Sequence, residues 1–197
     1  MSTEIVSALV VFALVASMTP GPNNLMLLAS GVNFGFRRTI PHLLGILIGF
    51  AVLLTAVGLG VGALVERFPA LHLALKVVGG AYLLYLAWKI AASRALHEES
   101  TGRGPLTFTE AALFQWVNPK AWMMGLAAMA AYTDPEHYSL TLAIVVGVFF
   151  LVTIPSTTIW AGFGSALKDW LDHPVRLKWF NIAMAVALVA SLWPMLK

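Results

Sequence analysis

The chain has 197 residues, of which 59% are hydrophobic and 11% charged, and its mean hydropathy is +0.84. That balance excludes an ordinary soluble domain and reads as membrane-embedded nearly throughout. The net charge of +3 is carried by basic residues in connections, a topology signal rather than a nucleic-acid footprint, and the absence of cysteine excludes a disulfide framework and a thiolate metal site.

Cutting the apolar runs at charges and turn signals gives six spans, at about residues 5–32, 42–65, 70–92, 110–132, 139–163 and 177–196. Each is long enough to cross about 30 Å of hydrocarbon as a helix. The flank of the first, MSTEIVS, carries Glu4 and no Lys or Arg, which argues against a cleaved leader. TPGPNN (19–24) then interrupts it. Proline has no N–H and its ring clashes with the carbonyl four residues back, so Pro20 and Pro22 free the carbonyls of Ala16 and Met18. His42, after Pro41 at the start of the second span, reads as a proton-sensing residue or as an ordinary interfacial histidine. Gly45 with Gly49 and Gly58 with Gly62 have small-xxx-small spacing. Close packing within the chain is the simpler reading, and a homo-oligomer is left open.

The fourth span is interrupted at NPK (118–120), where Pro119 frees the carbonyl of Gln115. Gln115 is expected to bond that carbonyl with its own amide, or else a ligand. Asn118 suits an N-cap and Pro119 the first position of a new half-helix, and the same logic applies to Gly21, Pro22, Asn23 and Asn24. Such N-termini present free N–H groups and a positive dipole end to an anion. Lys120 is the one basic residue away from a span end; it either meets a substrate carboxylate or snorkels to an interface. In the fifth span TIPSTTIW sets Thr153, Ser156, Thr157 and Thr158 around Pro155, lining a pathway or bonding their own preceding carbonyls. Trp88, Trp116, Trp122, Trp160, Trp170, Trp179 and Trp193 fall mostly near span ends and read as interfacial anchors.

The polar gap HEESTGRGPLT (97–107) divides the chain into three spans and three. An odd number per half sets the halves in opposite orientation, and Pro22 with Pro119 and Gly49 with Gly147 superpose at an offset of 97 or 98. The expectation is an all-α membrane protein of six transmembrane helices, built as two inverted three-helix repeats with broken helices 1 and 4. It forms a single transmembrane domain over 1–197, with repeat one about 1–93, a polar connection about 94–109 and repeat two about 110–197. Arg37, Arg38, Lys89, Arg94, Arg103, Lys168, Arg176 and Lys178 lie on one side, against Arg67, Lys76 and Lys197 on the other. Basic loops face the cytoplasm, so both termini are expected to be periplasmic.

TPGPNNLMLLASGVNFGFRR (19–38), AYLLYLAWKI (81–90) and FQWVNPKAWMMG (114–125), in a six-span chain of this length, resemble the lysine exporter family, including its homoserine and threonine efflux branch. The resemblance covers essentially the whole chain. It implies a multi-pass exporter of amino acids or their derivatives in a bacterial inner membrane, with a small-molecule substrate, a lipid surround and no nucleic acid. The residues expected at the substrate are Pro20, Gly21, Pro22, Asn23, Asn24, Gln115, Asn118, Pro119 and Lys120. His42 stands as the proton-sensing candidate, and Thr153, Ser156 and Thr157 as the pathway lining. No Asp or Glu lies deep in a span, so a relay of buried carboxylates is not expected. An enzyme is not expected either, since HExxH, GxSxG and paired intramembrane carboxylates are missing, and no cofactor or metal is implied. The alternative is an exporter of divalent metal or another small solute on the same fold, against which stand five scattered histidines.

Overall fold

The structure is a computed structural model that describes residues 1–93 and 104–193. The basic residues Arg94, Arg103 and Lys197, most of the polar connection and the last residues of the sixth span lie outside the described residues. The described residues are helical. The elements are α1 (Thr3–Met18), α2 (Pro22–Phe34), α3 (Phe36–Ala56), α4 (Gly62–Arg67), α5 (Pro69–Ala91), α6 (Phe108–Phe114), α7 (Pro119–Tyr132), α8 (Tyr138–Leu167) and α9 (Pro174–Ala190).

Local chemistry sets the boundaries. Ser2 caps α1 by accepting from the Ile5 N–H, and α1 ends at Met18, just before the prolines. Pro22, Pro69, Pro119 and Pro174 each stand in the first turn of their helix, where a missing N–H costs nothing. Gly35, with φ of +79°, both ends α2 and opens α3, in a left-handed conformation that glycine adopts without penalty. A capping box joins Thr107 and Glu110 at the start of α6. Between α3 and α4 the chain kinks over Val57–Val61, where Gly60 has a φ of +103°, and the Tyr138 hydroxyl donates to the Gly58 carbonyl at 2.5 Å.

By length and composition three helices can cross a membrane: α3 continued through α4 to Val65, α5, and α8 with the short turn before it. The pair α1 and α2, bent by 53° at its interruption, makes a fourth if counted as one span. α6 and α7 have 7 and 14 residues with a 3₁₀ turn, Gln115–Val117, between them, and α9 has 17 residues, about 25 Å of helix. Large apolar side chains such as Val11, Leu59, Leu73, Val77 and Leu151 point outward, as a lipid surround permits. Trp88, Trp170, Trp179 and Trp193 are exposed, as anchors would be, whereas Trp122 is buried with its indole N–H donating to the Trp116 carbonyl at 2.8 Å.

α2 lies deepest and packs along α8; α3 packs on α6 and α8, and α5 on α9. Glycines permit the closest approaches. Gly31 of α2 and Gly164 of α8 each face the other helix's backbone, so a Cβ on Gly31 would run into the Ala161 carbonyl oxygen and stand 2.8 Å from the Ser165 nitrogen. Gly45 and Gly49 press likewise on α6, the second so closely that a Cβ there would stand 2.6 Å from Ala112 Cα, which is packing within the chain. Gly147, its partner at the repeat offset, faces open space. Gly31→Ala is therefore expected to destabilise the protein by about 1–3 kcal/mol, and Gly147→Ala to change stability by less than about 0.5 kcal/mol, as read by reversible unfolding in mixed micelles.

Candidate functional site

Each interruption leaves backbone groups that no helix satisfies, and side chains from elsewhere take them up. At the first, the freed Ala16 carbonyl accepts from the Thr19 hydroxyl at 3.0 Å. The Asn24 amide donates to the carbonyls of Ser17 at 2.7 Å and Thr19 at 2.9 Å, and the Ser156 hydroxyl of α8 also donates to Ser17 at 2.8 Å. Lys120 reaches across from α7, its ammonium donating to the carbonyl and hydroxyl of Thr19 at 2.7 and 2.9 Å. The two halves are thus tied at their interruptions.

At the second interruption Asn118 caps α7, its side-chain oxygen accepting from the Lys120 N–H at 3.2 Å. The freed Gln115 carbonyl accepts from the Asn118 N–H at 3.3 Å, so the Gln115 side chain does not serve it, contrary to the sequence expectation. Instead Gln115 and Asn23 form a reciprocal amide pair, at 2.8 Å from Asn23 and 3.1 Å from Gln115, and Gln115 also donates to the Ala111 carbonyl. Gln115 is fully buried and Asn118 2% exposed.

A cavity of about 40 Å³ lies between the interruptions, walled by Gly21, Asn23 and Asn24 from α2 and its cap, Asn118 and Lys120 from α7 and its cap, and Thr153, Ser156 and Thr157 from α8. Ser17, Ile46, Phe50 and Met124 complete much of the wall. Of the expected substrate residues, Pro20 is exposed, and Pro20, Pro22, Gln115 and Pro119 do not line the cavity; they shape its walls. Thr158 is exposed. Thr157 donates to the Thr153 carbonyl at 2.8 Å, the back-bonding alternative, yet still faces the cavity. The hydroxyls of Ser17 and Thr153 are buried there with no hydrogen-bond partner among the described residues.

The two half-helix N-termini differ in their chemistry. Asn118 caps α7, whereas Gly21 has no side chain with which to cap α2, leaving the N–H groups at the start of α2 without a side-chain acceptor. An anion placed there would meet those N–H groups, the positive end of the α2 dipole and the Lys120 ammonium. The volume holds about three waters; a carboxylate fits, and a larger ligand needs the walls to part.

His42 is not part of this constellation. It is 1% exposed and lies in the second turn of α3, which begins at Phe36. It lines a separate cavity towards the far end of α2. Asn33 and Asn181 were not singled out by sequence reasoning; their amides pair at 2.9 and 3.1 Å between α2 and α9, with Ser93 bonded to both. Their one signal is an amide within an apolar run. Among the described residues no group of three or more His, Cys, Asp or Glu side chains comes together that would hold a metal ion.

Comparison with known proteins bears on the whole chain. It is 34% identical over 193 residues to a cysteine/O-acetylserine efflux protein of Salmonella typhimurium and 33% identical to the protein of that name in Escherichia coli strain K12, with 96% of each chain covered in both cases. No solved structure matches it significantly. The family described as LysE type translocator matches residues 14–192. Over that length the agreement is that of a member, and the chain belongs to the LysE type translocator family.

Proposed function

We propose that the chain is a bacterial inner-membrane exporter of amino acids or amino-acid derivatives, with its substrate site at the two helix interruptions. The observation that carries this reading is the single cavity walled by both interruptions, containing Lys120 and two buried hydroxyls without partners. The substrate carboxylate sits at the uncapped start of α2 and against Lys120, one of whose three ammonium protons is not used by Thr19. Asn23, Asn24 and Asn118 shape the site, and Ser17, Thr153 and Ser156 meet the substrate's polar groups. Pro20, Gly21, Pro22, Pro119 and Gln115 hold the two half-helices in place. Cysteine and O-acetylserine are the substrates to try first, since similar proteins carry those names.

The fold for this role has six crossings in one transmembrane domain, α1–α2, α3–α4, α5, α6–α7, α8 and α9, as two inverted repeats. Their packing supports it. The first crossing packs on the fifth, the fourth on the second, and the third on the sixth, a pattern that maps onto itself when the halves are exchanged. The loop charges place both termini in the periplasm. Alkaline phosphatase fused after Lys197 is expected to be active and after Arg103 inactive; the reverse pattern would overturn the orientation and leave the function standing.

Lys120 separates the proposed role from mere anchoring. Lys120→Met keeps the stem and removes the charge, and is expected to abolish export of cysteine or O-acetylserine into the medium of overproducing cells. Lys120→Arg is expected to impair it too, because a planar fork does not replace a compact ammonium in a small site. Export within a few-fold of wild type by the Lys120→Met protein, at matched membrane abundance, would remove Lys120 from the site.

A further inference from the structure

The cavity beside His42 has the makings of a second ligand station. It measures about 60 Å³ and is lined by α2 (Met26, Ala29, Ser30, Asn33), by His42 of α3 and by Leu86, Lys89 and Ser93 at the end of α5, among others. It shares no lining residue with the cavity at the interruptions, and Asn24 and Ser30 lie about 9 Å apart along α2. Under the proposed orientation it opens towards the cytoplasm, the side from which cargo arrives.

Its polar groups divide into those already occupied and those free to meet a ligand. Asn33 is saturated: both amide protons are donated, to the Ala29 carbonyl and to Asn181, and its oxygen accepts from Asn181 and Ser93. The Thr39 hydroxyl donates to the Gly35 carbonyl at 2.9 Å, so in its 2.8 Å contact with Ser30 the proton comes from Ser30, whose oxygen is left as an acceptor. Both ring nitrogens of His42 are buried without a hydrogen-bond partner among the described residues. One of them is a donor and the other an acceptor when the ring is neutral. Lys89 forms no ion pair among the described residues, where the one ion pair is His137 with Asp134. The charged groups that bear on His42 are Glu110, engaged in the α6 capping box, and Lys89. A buried donor or acceptor left unpaired is costly, and a ligand that pairs it removes that cost.

We infer that this cavity is a loading station for the α-amino acid head group, with the carboxylate between Lys89 and the N–H of His42 and the ammonium on the Ser30 oxygen. The zwitterion supplies an acceptor to Lys89 and the His42 N–H and a donor to the Ser30 oxygen. A simple anion would leave the Ser30 oxygen bare, and a simple cation would face Lys89. Apolar side chains, Met26 and Leu86 among them, receive the rest of the molecule. The inference rests on the exporter reading for its ligand, and makes export a two-stop passage: loading beside His42, then transfer along α2 to the interruptions.

The absence of cysteine from the sequence permits a direct test with single thiols. Ala29→Cys reports on the His42 cavity and Ala121→Cys on the other, each in protein reconstituted in lipid nanodiscs and modified with 2-aminoethyl methanethiosulfonate in increasing O-acetylserine. Leu86→Cys replaces Ala29→Cys if that protein fails to fold by gel filtration. The expected result is protection at both positions, with His42→Gln raising the half-protecting concentration about tenfold for Ala29→Cys and less than twofold for Ala121→Cys. Protection of Ala121→Cys alone, or an equal shift at both positions, overturns the loading station and leaves the site at the interruptions standing. Protection of Ala29→Cys alone supports the station and overturns the other site. Protection of neither by O-acetylserine overturns both.

Discussion

In hydrocarbon a backbone carbonyl has no water to turn to, and every feature near the centre of this molecule follows from that requirement. Prolines at two places strip the helix of its own solution. The carbonyls of Ser17 and Thr19 are then met by Asn24, by Ser156 from α8 and by Lys120 from α7. The Gln115 amide in turn is held by Asn23. Repair of one half by the other is what brings the interruptions together, and the cavity is the space that the repair leaves.

The same requirement explains why so polar a constellation is tolerable. Breaking one partner of a buried pair leaves the other unsatisfied, at about 1–3 kcal/mol, so these side chains hold one another in register. Among the described residues the buried groups that escape the accounting are the hydroxyls of Ser17 and Thr153 and the ring of His42, which line the two cavities, and the Trp160 indole N–H, which lines neither. Asn24 and Asn33 are amides like any binding amide, yet their protons are committed to the protein itself.

What can be read from the sequence is the local chemistry. A proline's missing N–H, an asparagine before a proline and a glycine pair at four-residue spacing act within a few residues, and the structure has helix ends at Met18 and Pro119 and close contact at Gly45 and Gly49. Non-local pairing is out of reach. Nothing in the spacing of Asn23 and Gln115 says that they meet, and local reasoning assigns Gln115 to a carbonyl that the Asn118 N–H serves. Pro41 looks like a helix boundary in the sequence, but α3 begins earlier, at Phe36, and carries the proline in its second turn. The kink at Val57–Val61 is hidden because the Gly58–Gly62 spacing around Gly60 also fits a packing motif.

The crossing of α2 and α8 has a meaning for how such a chain can change over time. Gly31 and Gly164 sit against each other's helix with no side chain between, so neither position can acquire a methyl group while the other helix keeps its place. Two residues 133 positions apart, in different halves of the chain, therefore share one history: a lineage that enlarges either must first shift α8 along α2, and with it Ser156 away from Ser17. An outward-facing position such as Leu151 meets no such barrier.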